Sequence, residues 1–186
     1  MRPRHFVGST LVILLAGCGA DEADPGVCTG LASPRVIAPA AGWRQVALGA
    51  DPFYEGSDAP VSCAPATFGL EAGVDGEWWG IETVQCGYVT FEQPTATALC
   101  PGDEVVMRLW HFNLLDNDAD FEALLAVDAA TPLIRETIPI PADARLVEMR
   151  ATLVEFVDAG TPLLFHLENH GSNSWGLLDV VVERSR

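Results

Sequence analysis

The sequence contains no lysine: its ten basic residues are all arginine, set against 26 aspartates and glutamates, for a net charge of −16. Phosphate recognition needs a basic surface, so long-range repulsion excludes DNA and RNA as direct partners and disfavours anionic lipid surfaces. Motifs of nucleophilic and metal-dependent catalysis are missing as well. There is no Gly-x-Ser-x-Gly, no His-Glu-x-x-His and no glycine-rich phosphate loop, and the chain reads as a non-enzyme. Nor is there a Cys-x-x-Cys pair of the kind that holds structural zinc. No apolar run approaches the roughly 20 residues that span a bilayer as a helix.

What is present begins with a recognisable export signal. Arg2 and Arg4 precede an apolar stretch over residues 6–16, which breaks at small residues before the acidic segment Asp21-Glu22-Ala23-Asp24. This is the layout of a secretory signal peptide. Its last residues, Leu15-Ala16-Gly17-Cys18, resemble the bacterial lipobox, which implies that Cys18 is the lipidation site and becomes the first residue of the mature chain. Residues 1–18 are then the signal peptide. Residues 19–34, rich in Ala, Gly, Asp and Pro, read as a flexible tether, and residues 35–186 as a single folded domain. Loss of Arg2 and Arg4 leaves eight arginines against 26 acids, a charge of −18. Gly19 stands where an Asp would retain an enterobacterial lipoprotein in the inner membrane, so the expected location is the bacterial cell envelope, anchored in the outer membrane.

Beyond Cys18 four cysteines remain, Cys28, Cys63, Cys86 and Cys100, an even number in an oxidising compartment. Two disulfides are expected. Three connectivities satisfy four cysteines; the preferred one joins Cys63 to Cys86 and Cys28 to Cys100, which would pin the amino-terminal arm onto the first hairpin.

From Trp43 onward, short runs of Val, Leu, Phe and Thr are punctuated by Gly, Pro and Asp, with no long helical period. The expected strands cover residues 43–48, 78–92, 104–113, 121–128, 132–140, 145–154, 162–169 and 175–183. Residues 118–127 also fit a helical spacing, but a strand is preferred. Eight strands of this kind build an all-β, two-sheet antiparallel sandwich of the jelly-roll type. Alternation sets Leu109, His111 and Asn113 on one side of their strand and Arg108, Trp110 and Phe112 on the other. In residues 163–170 it sets Leu163, Phe165 and Leu167 against His166, Glu168 and His170, the clearest polar face in the sequence.

Residues 161–165, together with Asn173-Ser174-Trp175-Gly176-Leu177-Leu178-Asp179, resemble the closing strands of carbohydrate-binding modules with the galactose-binding-like jelly-roll fold. The resemblance covers about the last 80 residues. It implies that Trp175 stacks on a sugar ring and Asn173 hydrogen-bonds its hydroxyls, with Asp179 in a binding or structural role. An indole offers a large rigid apolar face, and polar loop groups set orientation. Trp78, Trp79 and Trp110 read equally well as packing residues. The whole chain also resembles lipoproteins from soil bacteria of the myxobacterial type, a resemblance that carries no activity with it.

Two cation sites are candidates. His166, Glu168 and His170, with His111 from another strand, have the imidazole and carboxylate chemistry that suits zinc or copper. Asp116, Asp118 and Asp120 alternate in the manner of a calcium loop, although Phe121 stands where an EF-hand has Gly and Val127 where it has Glu. The functional expectations are therefore a lipid-anchored envelope module that binds or adheres to glycans, a metal-binding envelope protein, or a structural envelope protein with protein partners.

Overall fold

The computed structural model describes Cys28 and residues 34–54, 62–74, 76–115, 120–127, 131–169 and 173–184. Eleven strands are found among them: β1 (Arg35–Pro39), β2 (Arg44–Gln45), β3 (Phe68–Gly73), β4 (Gly76–Glu82), β5 (Tyr88–Pro94), β6 (Asp103–His111), β7 (Asp120–Val127), β8 (Thr131–Pro139), β9 (Arg145–Thr152), β10 (Pro162–Asn169) and β11 (Ser174–Arg184). They form two antiparallel sheets. The first runs β3-β4-β11-β6-β9, with β1 also paired to β11; the second runs β2-β5-β10-β7-β8. Consecutive strands pass repeatedly between the sheets, which is the crossing pattern of a jelly-roll sandwich. The long strand β11 borders β6 on one side, and on the other it borders β4 along its first half and β1 along its second.

Two differences from the sequence-derived strands have simple causes. The run 78–92 is two strands, because the chain turns at residues 83–87 and crosses to the other sheet. Short, proline-bounded β1 and glycine-containing β3 carry weak strand signals and are recognised only through their partners β11 and β4. Residues 120–127 pair with both β8 and β10, and this ladder overrides the helical spacing.

The space between the sheets is filled by alternate residues of each strand, including Val105, Met107 and Leu109 of β6, Leu177, Val180 and Val182 of β11, and Leu163, Phe165 and Leu167 of β10. Phe91 sits at the middle of an aromatic group, edge-on to Phe68 and Trp79 and parallel to Phe165. Disulfides join Cys28 to Cys100 and Cys63 to Cys86. Beside the first lies Asp103, wholly buried, whose carboxylate accepts hydrogen bonds from Arg35 Nη2 (2.8 Å) and from the Cys100 backbone N–H (2.9 Å). This group ties β1 and the turn at residues 100–103 to the start of β6.

Removing one member of a buried ion pair leaves the other desolvated, at a cost of about 3–5 kcal/mol. Asp103→Ala should therefore lower the urea-unfolding free energy by roughly that amount, while Arg150→Ala, which removes an exposed arginine from its three carboxylates, should change it by about 1 kcal/mol or less.

Candidate functional site

The residues expected to meet a sugar are mostly inside. Trp175 is 1% exposed, its indole stacked on Phe121 at 3.8 Å between ring centroids, with His111 on its other flank at 5.1 Å. Both faces are occupied by protein, which corrects the stacking role. The alternation of β11 accounts for it, since Trp175 shares its side with Leu177. Asn173 is 5% exposed, and its backbone N–H and carbonyl bind the Thr83 hydroxyl. Asp179 is ion-paired with Arg108, receiving Nε at 2.6 Å and a second bond from Nη2. That pairing raises the Arg108 guanidinium further above its ordinary pKa and makes Asp179 structural.

The proposed metal ligands do not converge. His111 has the inward parity of Leu109 and lies against Trp175 in the core. His166 has the outward parity of β10 on the other sheet, opposite to core-facing Phe165 and Leu167. No group of three or more His, Cys, Asp or Glu residues among the described residues is placed to hold a metal. His170, Asp116 and Asp118 lie outside the described residues, as does Cys18; Asp120 opens β7 and is exposed.

The face carrying His166 is also less polar in setting than alternation implies. Residues 46–54 include a single 3₁₀ turn at Leu48–Ala50 and bring Phe53 against the outward side of the second sheet. Phe53 lies over the His166 ring at 4.9 Å and Tyr88 beside it at 5.9 Å, and Thr90 Oγ1 hydrogen-bonds Nδ1 at 2.8 Å. Thr90, Leu124 and Leu164 on the same face are buried with it.

The outer face of the first sheet is built differently. Cross-strand pairing sets Gly69 of β3, Gly80 of β4 and Gly176 of β11 in one row, continued by Trp110 of β6 and Leu146 of β9. Glycine inside a strand often marks a close approach by another group, and two such approaches occur here. A Cβ on Gly176 would lie 2.0 Å from Trp110 Nε1, and one on Gly80 would lie 2.0 Å from Glu71 Oε1. The indole and the carboxylate thus lie on the bare backbone of neighbouring strands. Trp78 stands next to them, donating Nε1–H to Glu71 Oε2 at 3.1 Å and meeting Trp110 edge-to-face at 5.8 Å. Phe112 continues the group, 4.7 Å from Trp110 and 58% exposed. On the far side of the glycine row, Glu82 accepts the Ser174 hydroxyl at 2.7 Å. The result is a partly exposed aromatic platform, Trp78–Trp110–Phe112, edged by two oriented carboxylates. Such a surface offers apolar ring faces for stacking and acceptors for hydroxyl or amino groups.

Fold and face together define an antiparallel β-sandwich with one aromatic sheet face open to solvent. No protein-family model matches the chain, and no curated protein does. Among solved structures, the K3 cleaved adhesin domain of Lys-gingipain from Porphyromonas gingivalis aligns at a TM-score of 0.46 and 12% identity, over 78% of this chain and 94% of its own. The family 11 carbohydrate-binding module of the Clostridium thermocellum cellulase Lic26A-Cel5E aligns at 0.41 and 9% identity, over 83% and 96%. A family 61 carbohydrate-binding module, solved with β-1,4-galactotriose, aligns at 0.38 and 12% identity, over 79% and 91%. What those proteins bind is a property of theirs.

Burial lowers the His166 imidazole to a pKa of about 4, with Asp51 opposing and Arg135 adding to the shift; His111 is lowered too, again first by burial. The unfolded chain takes up these protons near pH 6.5. The neutral rings therefore contribute their full stability above that pH, and it is lost as pH falls from about 6.5 towards 4. Between pH 7 and pH 5, His166 alone should account for about 2 kcal/mol of lost stability. Urea unfolding of His166→Gln at the two pH values should show a difference smaller by that amount than the native chain does.

Proposed function

We propose that this chain is a lipid-anchored envelope protein that presents a glycan-binding β-sandwich, with the outer face of the first sheet as the binding surface. The observation that carries the proposal is the Trp78–Trp110–Phe112 platform, set over a row of glycines and bordered by Glu71 and Glu82. Exposed aromatics in contact with one another are costly to leave in water, and a pyranose supplies the matching combination of an apolar ring face and hydroxyl donors. The outward residues at the centre of the second sheet, Thr90, Leu124, Leu164 and His166, are buried, and Phe53 lies against His166. With both described imidazoles buried, we read the chain as one that binds without turning over its ligand.

The anchor belongs to the same proposal: residues 1–18 as signal peptide, Cys18 as the acylated residue, residues 19–34 as tether and residues 35–186 as the presented domain, held at the outer membrane. The placement of the arm supports it. Cys28 is bonded to Cys100 at the start of β6, whereas Trp110 lies seven residues beyond Asp103 on that strand, about 23 Å away at 3.3 Å per residue. A lipid on Cys18 would thus be attached ten positions before the residue that is bonded at this end of the domain.

Two outcomes are expected. Trp110→Ala and Trp78→Ala should each weaken retention on an immobilised polysaccharide panel by about 1–3 kcal/mol, about 5- to 150-fold, with unfolding midpoints little changed, whereas Trp175→Ala should chiefly lower stability. A platform that binds envelope proteins instead would retain no saccharide and would lose a protein partner on the same substitutions. Cys18→Ser should abolish incorporation of labelled fatty acid and shift the protein from the membrane fraction to the soluble fraction.

A further inference from the structure

We infer that the polymer this face takes is a cationic one, a polysaccharide whose sugar residues carry free amino groups. The inference rests on the glycan-binding proposal and adds the chemical class of the ligand.

It follows from the balance of charges and hydrogen-bonding groups on the outer face of the first sheet. Near the platform stand Glu71 and Glu82; further along the same face lie Glu104, Glu148, Asp179 and Glu183. Against these six carboxylates the face has two guanidinium groups, and both are engaged. Arg108 is held by Asp179, and Arg150 by Glu104, Glu148 and Glu183 at 2.7, 3.0 and 2.9 Å. Glu71 and Glu82 form no ion pair among the described residues. Each is instead oriented by a single neutral donor, Trp78 Nε1–H and the Ser174 hydroxyl respectively. An ionised carboxylate has about four lone-pair sites, so most of the acceptor capacity beside the platform is unspent, with few donors to accompany it.

A ligand that complements such a face brings donors and positive charge. An anionic polysaccharide is repelled, the more so by a chain with a net charge of −16. A neutral one brings hydroxyls whose own acceptors find few donors here. An ammonium group brings three donors and no acceptor, and it is drawn both to the carboxylates and to the faces of Trp78 and Trp110, since indole is the best aromatic partner for a cation. An amino sugar carries that ammonium on a ring with an apolar face, matching the interleaving of indoles and carboxylates within a few ångströms. A basic peptide has the charge but lacks the ring with its apolar face.

The test is titration calorimetry of the purified chain with a β-1,4-linked glucosamine polymer, its fully N-acetylated counterpart, an unsubstituted β-1,4-glucan and poly-lysine, at low and high salt. The glucosamine polymer should bind most tightly and weaken as salt rises. Glu71→Gln and Glu82→Gln, which keep shape and one acceptor oxygen while removing charge, should each weaken it by about two- to fivefold and flatten its salt dependence. Two separate variants guard against one of them perturbing the fold, which thermal unfolding checks. Equal or tighter binding of a neutral polymer that depends on Trp110 would overturn the cationic class while leaving the glycan proposal standing. Poly-lysine binding as tightly as the glucosamine polymer would overturn the class in favour of a basic polypeptide. No saccharide binding at all would overturn both.

Discussion

The antiparallel pairing of β6 with β11 determines which residues of this protein meet solvent. Its register opposes Trp175 to His111, Gly176 to Trp110 and Asp179 to Arg108. Because side chains alternate, a slip of one residue would exchange the two faces, exposing Trp175 and burying Trp110 against the other sheet. Burial of Leu109, Leu177 and Val180 on the inner side fixes the choice. The irregularity between Leu177 and Asp179 then shifts the pairing by one, so that Val180 and Val182 still face inward while Asp179 reaches Arg108. Both the core and the platform descend from this one ladder.

The same physics treats the two outer faces of the sandwich unequally. The second sheet carries Leu124, Leu164 and Thr90 outward, a set that water would solvate poorly, and these residues are buried together with His166, against which Phe53 packs. His166 loses its hydration in consequence, which is why its pKa falls. The first sheet has no such cover among the described residues. Its outward groups include the ion-paired Arg108 and Arg150, the aromatic platform, Val106 and Val181 buried between them, and the exposed Val36 and Leu146. The open face and the roofed face are two results of one distribution of apolar residues.

Much of this was legible in the sequence. The all-β sandwich follows from short alternating runs, and the extent of β10 follows from residues 162–169 to the residue. Trp175 departs from the role that the closing-strand resemblance implies, because alternation along β11 sets it on the same side as core-facing Leu177. His166 was placed correctly on the outward side of β10, but its roof comes from residues more than a hundred positions earlier, a contact no local pattern encodes. The platform illustrates the same limit. Alternation grouped Arg108, Trp110 and Phe112, yet their relation to Glu71, Trp78, Gly80 and Gly176 depends on pairing across four strands. Lone glycines in two strands were the available signal, and only the register gives them a meaning.

The central claim is that the outer face of the first sheet is the working surface. It is tested most directly by oxidative footprinting of the five tryptophans with and without the polysaccharide that binds. Trp78 and Trp110 should be modified readily in the free protein and protected in the complex, with Trp43 and Trp175, 3% and 1% exposed, unreactive in both. Protection that leaves Trp78 and Trp110 unchanged, or early modification of Trp175, would contradict the account.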